Sequence, residues 1–149
     1  MIIFDYVGAR GSAEAKAAKK AKKSAPPIKG DVRRWRDDQQ VPQRTQFDEK
    51  LDSLASAGPE MVPGLIAGPL SVKGKGKFRH IYKIQMGGKI RLRPLLCRGT
   101  QNLDAELTLL IGATERDGQL EPLNAPEKAD SRREEILNDD THRQPYVLP

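Results

Sequence analysis

The sequence predicts an α+β fold, a small antiparallel-rich β-sheet packed against N-terminal helices and a C-terminal helix. Two alternating segments supply strands, Phe78 to Met86 and Glu106 to Ala113. A third observation supplies a helix: Phe47, Leu51, Leu54 and Ala55 recur at helical spacing before Gly58 and Pro59. A chain of 149 residues has room for one ordinary domain whose core needs neither disulfide nor metal. Its hydrophobic fraction of 37%, with 11 Pro and 13 Gly, implies much irregular chain and a core smaller than the whole. We expect one domain over residues 1–138, with a basic insertion at about 12–44 whose order the sequence does not decide, and a polar tail over 139–149.

Taken in order, Ile2, Ile3, Phe4, Tyr6 and Val7 form a short β-prone run ended by Gly8 and Gly11. Ser12 to Lys23 is rich in helix formers but has no large apolar side chain to bury, so it is either a surface helix or a frayed basic arm. Pro26 and Pro27 stop it, and Ile28 to Gln43 reads as a linker or insertion containing Arg33, Arg34, Trp35 and Arg36. Thr45 followed by Asp48 opens a helix predicted over 46–57. Glycines and prolines then fill the chain to a Lys-Gly loop at 73–77 that reads as mobile.

From Phe78 onward, Phe78, His80, Tyr82, Ile84 and Met86 share one strand face, while Arg79, Ile81, Lys83 and Gln85 share the other. Gly87 and Gly88 turn the chain into Lys89 to Cys97. A two-residue loop would mix apolar and charged side chains on both faces, so we expect a bulged hairpin aligning Ile84 with Leu92 and gathering Lys83, Gln85, Arg91 and Arg93. Leu107, Leu109 and Ile111 mark a strand buried in mid-sheet, which Gly112 lets the chain leave. Asn124 with Glu127 opens the final helix, with Ala125, Ala129, Arg132 or Arg133, and Ile136 on one side.

Charge is unevenly distributed along the chain. Residues 1–60 carry 12 basic and 9 acidic side chains, 61–103 carry 9 and none, and 104–149 carry 5 and 11. The acid-free stretch contains Lys73, Lys75, Lys77, Arg79, Lys83, Lys89, Arg91, Arg93 and Arg98. These read either as the solvated face of a one-sided sheet or as a surface for an anionic polymer such as nucleic acid. The cluster around Trp35 and the lysines of 16–23 read equally as a nucleic-acid tether or as a solubilising arm with Trp35 docked on the domain.

Other classes are disfavoured. The single cysteine, Cys97, excludes an internal disulfide and reads as a small, half-buried apolar side chain. Two histidines give no support to a metal site, and His80 is expected to pack on the apolar face. No apolar run approaches the roughly 18 residues of a bilayer span, and Met1 to Val7 carries Asp5 and is too short for a signal peptide, so a cytoplasmic protein with no membrane partner is expected. Arg132 and Arg133 beside Glu134 and Glu135 read as surface pairing.

The order of strand, helices, the segment YKIQMGGKIRLRPLL, the strand ELTLLIGATERD and a helix from Pro126 resembles the RelE/ParE superfamily of bacterial toxins, particularly its phage-associated HigB-like branch. The resemblance covers about residues 45–138, with FDYV near the start similar to that branch's opening strand. It rests on Tyr82-Lys83-Ile84, on Arg91, and on IGATERDGQLEP followed by Ala129 and Arg132-Arg133.

The resemblance implies a RelE-like fold and a toxin that cleaves messenger RNA in the ribosomal A site, needs no cofactor, and is restrained by a cognate antitoxin. It implies that Lys83 and Arg91 are catalytic, with Arg116 as helper and His142, near the C-terminus, as an acid. Lys73, Lys75, Lys77, Arg79, Gln85, Lys89, Arg93, Arg98 and Tyr146 would then bind RNA. Gln85, Thr114 and Leu120 stand where the family has a second lysine, an arginine and a tyrosine. The alternative is a non-catalytic protein of the same fold, inhibiting gyrase or a host nucleoprotein, or a phage-encoded nucleic-acid-binding protein.

Overall fold

The computed structural model describes residues 1–21, 28–58, 64–87, 91–100 and 105–149. The fold is α+β, as predicted. A six-stranded sheet runs β11–β1–β8–β7–β5–β2, where β1 is Ile2–Tyr6, β2 Ile66–Ala67, β5 Tyr82–Ile84, β7 Leu95–Arg98, β8 Glu106–Ile111 and β11 Arg143–Pro145. The neighbours β1 and β8 are parallel, pairing Ile3 with Leu107 and Asp5 with Leu109, and the other neighbours are antiparallel. The predicted mid-sheet strand is β8, whose residues from Leu107 to Ile111 are all buried.

Both faces of this sheet are covered, so the reading of the basic residues as the solvated face of a one-sided sheet does not hold for it. On one face Val32, Phe47, Leu51 and Leu54 pack on Ile84, Leu96, Leu107 and Leu109. On the other, Ala125, Ala129 and Ile136 pack on Ile81, Leu95, Cys97 and Leu110. Cys97 is fully buried, and burial pushes its thiol up to about 11.

The helices lie partly where periodicity put them. Helix α1, Gly8–Lys20, starts directly after β1, which favours the helical reading of this segment up to Lys20; Lys22 and Lys23 lie outside the described residues. Helix α3 spans Val41–Ala57 with Gln40 as its N-cap, ahead of the predicted Thr45 cap, because Pro42 fits a helix's first turn. Helix α4, Ala125–Asn138, opens at Asn124 as predicted.

The expected linker over 28–43 contains a helix, α2 (Asp31–Asp37). Its first turn is held from β1: Asp5 accepts backbone N–H groups from Val32 and Arg33 at 3.0 and 2.9 Å. Trp35 is docked, edge-on to Phe47 with ring centroids 5.7 Å apart. A Cβ on Gly112 would stand 2.0 Å from the Trp35 ring, so only glycine allows the indole to lie there.

The hairpin register also differs from expectation. Strand β5 pairs with β7, Tyr82 with Leu96 and Lys83 with Leu95, so Ile84 does not align with Leu92. Leu92 belongs to β6 (Arg91–Leu92), which pairs in a second sheet with β9 (Thr114–Arg116), itself paired with β10 (Gln119–Glu121). Pro94 separates β6 from β7, since it has no N–H for a continuous ladder, and its carbonyl accepts Ile84 N–H at 3.1 Å. The Lys-Gly loop read as mobile forms the hairpin β3 (Leu70–Val72) and β4 (Gly76–Phe78). His80, expected on the apolar face, is exposed in the turn between β4 and β5.

The expected polar tail is built into the sheet. A 3-10 turn, Asp140–His142, leads into β11, which pairs antiparallel with the outer edge of β1. The buried Arg143 guanidinium pairs with Glu106 at 2.9 Å and lies 3.7 Å over the Phe4 ring. Arg132, expected only in surface pairing, donates to the Leu110 carbonyl at 2.8 Å, pairs with Asp31 at 3.1 Å and sits over Tyr6.

Candidate nucleic-acid interface

A cleft of about 460 Å³ opens between β5, the β3–β4 hairpin, the β9–β10 hairpin and the start of α4. Lys73, Lys75, Lys83, Glu115, Gln119 and Leu120 are among its lining residues. Lys83 reaches it from β5, where alternation turns it away from Tyr82 and Ile84. The β9–β10 hairpin brings Glu115. Its tight turn is Asp117-Gly118, with φ of 51° and 78°, the conformation of a two-residue hairpin loop.

Glu115 is the residue that sequence reading missed. It stands opposite Arg91 in the β6–β9 ladder. Its carboxylate is 3.9 Å from the Arg91 guanidinium and 3.4 Å from that of Arg93. The available signal was Asp117-Gly118, a strong hairpin dipeptide, which would have put residues 114–116 on a strand.

The remaining predicted cations divide by environment. Arg91 is well exposed at 61% of its side chain, whereas Arg93 is buried, donating to the carbonyls of Met86 and Leu92 at 2.6 and 2.9 Å. Arg93 therefore holds the β5–β6 connection and does not join Lys83 on an open face. The Lys75 ammonium donates to the Leu123 carbonyl at 2.6 Å and pairs with Glu127 at 2.9 Å, tethering the β3–β4 tip to α4. That ammonium holds the Glu127 carboxyl below its ordinary range. Lys73, Lys77, Arg79, Gln85 and Arg116 are exposed, and Lys89 lies outside the described residues.

His142 and Tyr146 stand apart from this cleft. His142 immediately precedes β11, four strands from β5, or about 19 Å across the sheet at usual strand spacing. The Tyr146 ring is buried, 6.3 Å from Phe47, and burial pushes its phenol well above the ordinary range. Arg98 lines a different cleft with His80 and Tyr82.

In space, the acid-free stretch is not acid-free. The acidic last third folds against it, putting Glu115 between Arg91 and Arg93 and Glu127 on Lys75. The result is a mixed-charge cleft, with the Lys73 and Lys83 side chains and the Glu115 carboxylate among its lining.

Among the described residues no group of three His, Cys, Asp or Glu side chains is arranged to hold a metal ion, and no helix is long and apolar enough to cross a membrane. No protein-family model matches the chain, and searches of curated proteins and of solved structures return no match.

Proposed function

We propose that the chain is a RelE/ParE-like toxin of the HigB-like kind that cuts messenger RNA on the ribosome, in the cytoplasm, under the control of a cognate antitoxin. The observation that carries this reading is that Lys83 and Glu115 line one open cleft, and that the Arg91 guanidinium lies 3.9 Å from Glu115. The order of elements also supports it: β1 beside β8, then β7 and β5, with α4 across one face, follows the segments on which the resemblance rests.

RNA cleavage of this type forms a bond from the ribose 2'-oxygen to phosphorus and breaks the bond to the 5'-oxygen, leaving a cyclic phosphate and a 5'-hydroxyl. Glu115 accepts the 2'-hydroxyl proton, the Lys83 ammonium protonates the leaving oxygen, and Arg91, released from Glu115 by the substrate, balances charge on the phosphoryl oxygens. Buried Arg93 keeps Glu115 in position.

Inducible expression of wild type and the double variant Lys83→Ala, Arg91→Ala, followed by mapping of 5' ends on ribosome-bound messages, tests this function. Codon-phased cuts that disappear in the variant are expected. A second reading, inhibition of gyrase or a host nucleoprotein without cleavage, is favoured by Gln85, Thr114 and Leu120 at the family's catalytic positions; growth arrest without cuts is its signature.

A further inference from the structure

Helix α1 presents an exposed basic face at the edge of the fold. It packs against the 3-10 turn, β11 and α4, and buries little more than Gly11 and Ala18. On its other side Arg10, Lys16, Lys19 and Lys20 are exposed, around a row formed by the exposed Ala9, Ala13 and Ala17. The one acidic residue of α1, Glu14, is half-buried, and the next six residues, KKSAPP, bring two more lysines and no carboxylate.

The stability of the helix explains only part of this charge. Lys19 and Lys20 lie in the last turn, where cations suit the negative end of the helix dipole. Arg10 lies in the first turn, where a cation opposes the dipole and where α1 has no acidic residue. Its guanidinium donates to the Lys29 carbonyl at 2.7 Å, a neutral acceptor that leaves the charge uncompensated. Lys16, with 71% of its side chain exposed, pairs with Asp139 at 3.8 Å, and that carboxylate already accepts the Thr141 N–H and hydroxyl at 3.1 and 2.6 Å. Water screens so long and open a pair.

The chemistry of the face selects among anionic partners. It carries no large apolar side chain to insert into a bilayer's acyl boundary, and no aromatic ring on which an unpaired base would stack. A regular phosphodiester backbone remains, which alanines let approach closely and lysines meet one phosphate at a time. We propose that the exposed face of α1 docks on the backbone of double-stranded RNA through Arg10, Lys16, Lys19 and Lys20, a duplex being recognised mostly by backbone and shape. The choice of RNA over DNA rests on the proposed function. The contact itself does not, because β11, beside α1, lies four strands from β5, or about 19 Å, so α1 meets a different RNA segment from the Lys83 cleft.

The test is fluorescence anisotropy of the full chain with a labelled short RNA duplex at several salt concentrations. Wild type should bind saturably, with log K falling linearly as log salt rises. The triple variant Lys16→Gln, Lys19→Gln, Lys20→Gln should make that slope shallower by about 2–3, since each lost phosphate contact removes about 0.9. Glutamine is as good a helix former as lysine, and circular dichroism checks that α1 persists. A control with the same loss of charge on α3 and α4, Arg44→Gln, Lys50→Gln, Lys128→Gln, should change the slope by less than about 1.

Equal changes of slope in the two triple variants overturn the docking face, as does the absence of saturable duplex binding by wild type. Should the first variant lose helix, Lys20→Gln alone decides, with an expected change of about 1. A DNA duplex bound as tightly as RNA, or a single RNA strand bound more tightly than the duplex, overturns the assignment to double-stranded RNA. Binding to phosphatidylserine vesicles in place of RNA overturns it in favour of a membrane surface. Duplex binding through α1 by a chain that cuts no message would sink the proposed nuclease and leave this face standing.

Discussion

The carboxyl of Asp5, in the middle of β1, accepts the backbone N–H of Arg33 at 2.9 Å, while its other oxygen accepts that of Val32 at 3.0 Å. This fixes α2 to the sheet by two of the N–H groups that a helix start leaves open. Asp5→Ala strands both donors in a buried place, at a cost of about 3 kcal/mol. Urea unfolding of wild type and variant measures it, and a loss below about 1 kcal/mol would mean that the clamp is dispensable.

The same carboxyl gives stability a pH dependence of unusual sign. Burial pushes Asp5 up to about 7, against the opposing pull of the Arg33 and Val32 N–H groups. Its folded value lies above its unfolded value, so the native state holds the extra proton between them. Stability from this group is therefore greatest below about pH 4 and falls as pH rises to about 7. Asp37 works in the opposite sense: burial alone would raise it, but Lys29, Arg33 and Arg36 outweigh burial and hold it low, a contribution lost only in acid. Subtracting the urea profile of Asp5→Asn from that of wild type isolates Asp5. The difference should decline between pH 4 and 7, and a flat difference would refute the assignment.

Two glycines admit side chains of neighbouring elements. A Cβ on Gly30 would stand 2.3 Å from the Asp5 carboxyl carbon, and one on Gly112 2.0 Å from the Trp35 ring. At Gly87 a Cβ meets nothing within 4 Å. Gly30→Ala and Gly112→Ala should each cost about 1–3 kcal/mol, as overpacked sites do, with Gly87→Ala near neutral. Thermal unfolding of the three variants checks the order, and for Gly112→Ala the fluorescence of Trp35 should shift as its ring is displaced.

These clamps also explain what was legible in the sequence. Strand β8 and helices α3 and α4 follow from local pattern, because each buries an apolar stripe carried by its own residues, and β1 follows from its run of β-prone residues. Helix α2 does not, since its anchor Asp5 lies 28 residues before Arg33. Strand β11 depends on Glu106 and Phe4 meeting Arg143, which no local pattern foretells. The cleft was half legible: alternation identified Lys83, but the predicted Ile84–Leu92 register hid Glu115 because Pro94 sends Leu92 to a different sheet.

Arg91 and Arg93, equivalent by sequence, should separate in experiment. Arg93→Ala leaves the Met86 and Leu92 carbonyls without their guanidinium donor and removes a buried partner of Glu115, so it should destabilise by about 2–4 kcal/mol. Arg91→Ala removes an exposed pair at 3.9 Å and should change stability by less than about 1 kcal/mol. In paired denaturation and RNA-binding measurements, only Arg91→Ala should weaken RNA contact in a chain as stable as wild type.

Glu115 offers the sharpest test of the proposed chemistry, because its charge acts in opposite directions on binding and on cutting. Glu115→Gln keeps the shape and the hydrogen-bonding oxygen but removes the countercharge 3.9 Å from Arg91 and 3.4 Å from Arg93. Two guanidinium groups then carry uncompensated charge beside the cleft, so RNA binding should tighten and its salt dependence steepen. The variant also lacks the proton acceptor for the 2'-hydroxyl, so cutting should fall at least about 100-fold. Fluorescence-detected RNA binding at two salt concentrations, run beside mapping of 5' ends on ribosome-bound messages, reads both effects in the same protein. Tighter binding with lost cleavage supports Glu115 as the base, whereas cleavage at the wild-type rate would assign it to charge balance alone.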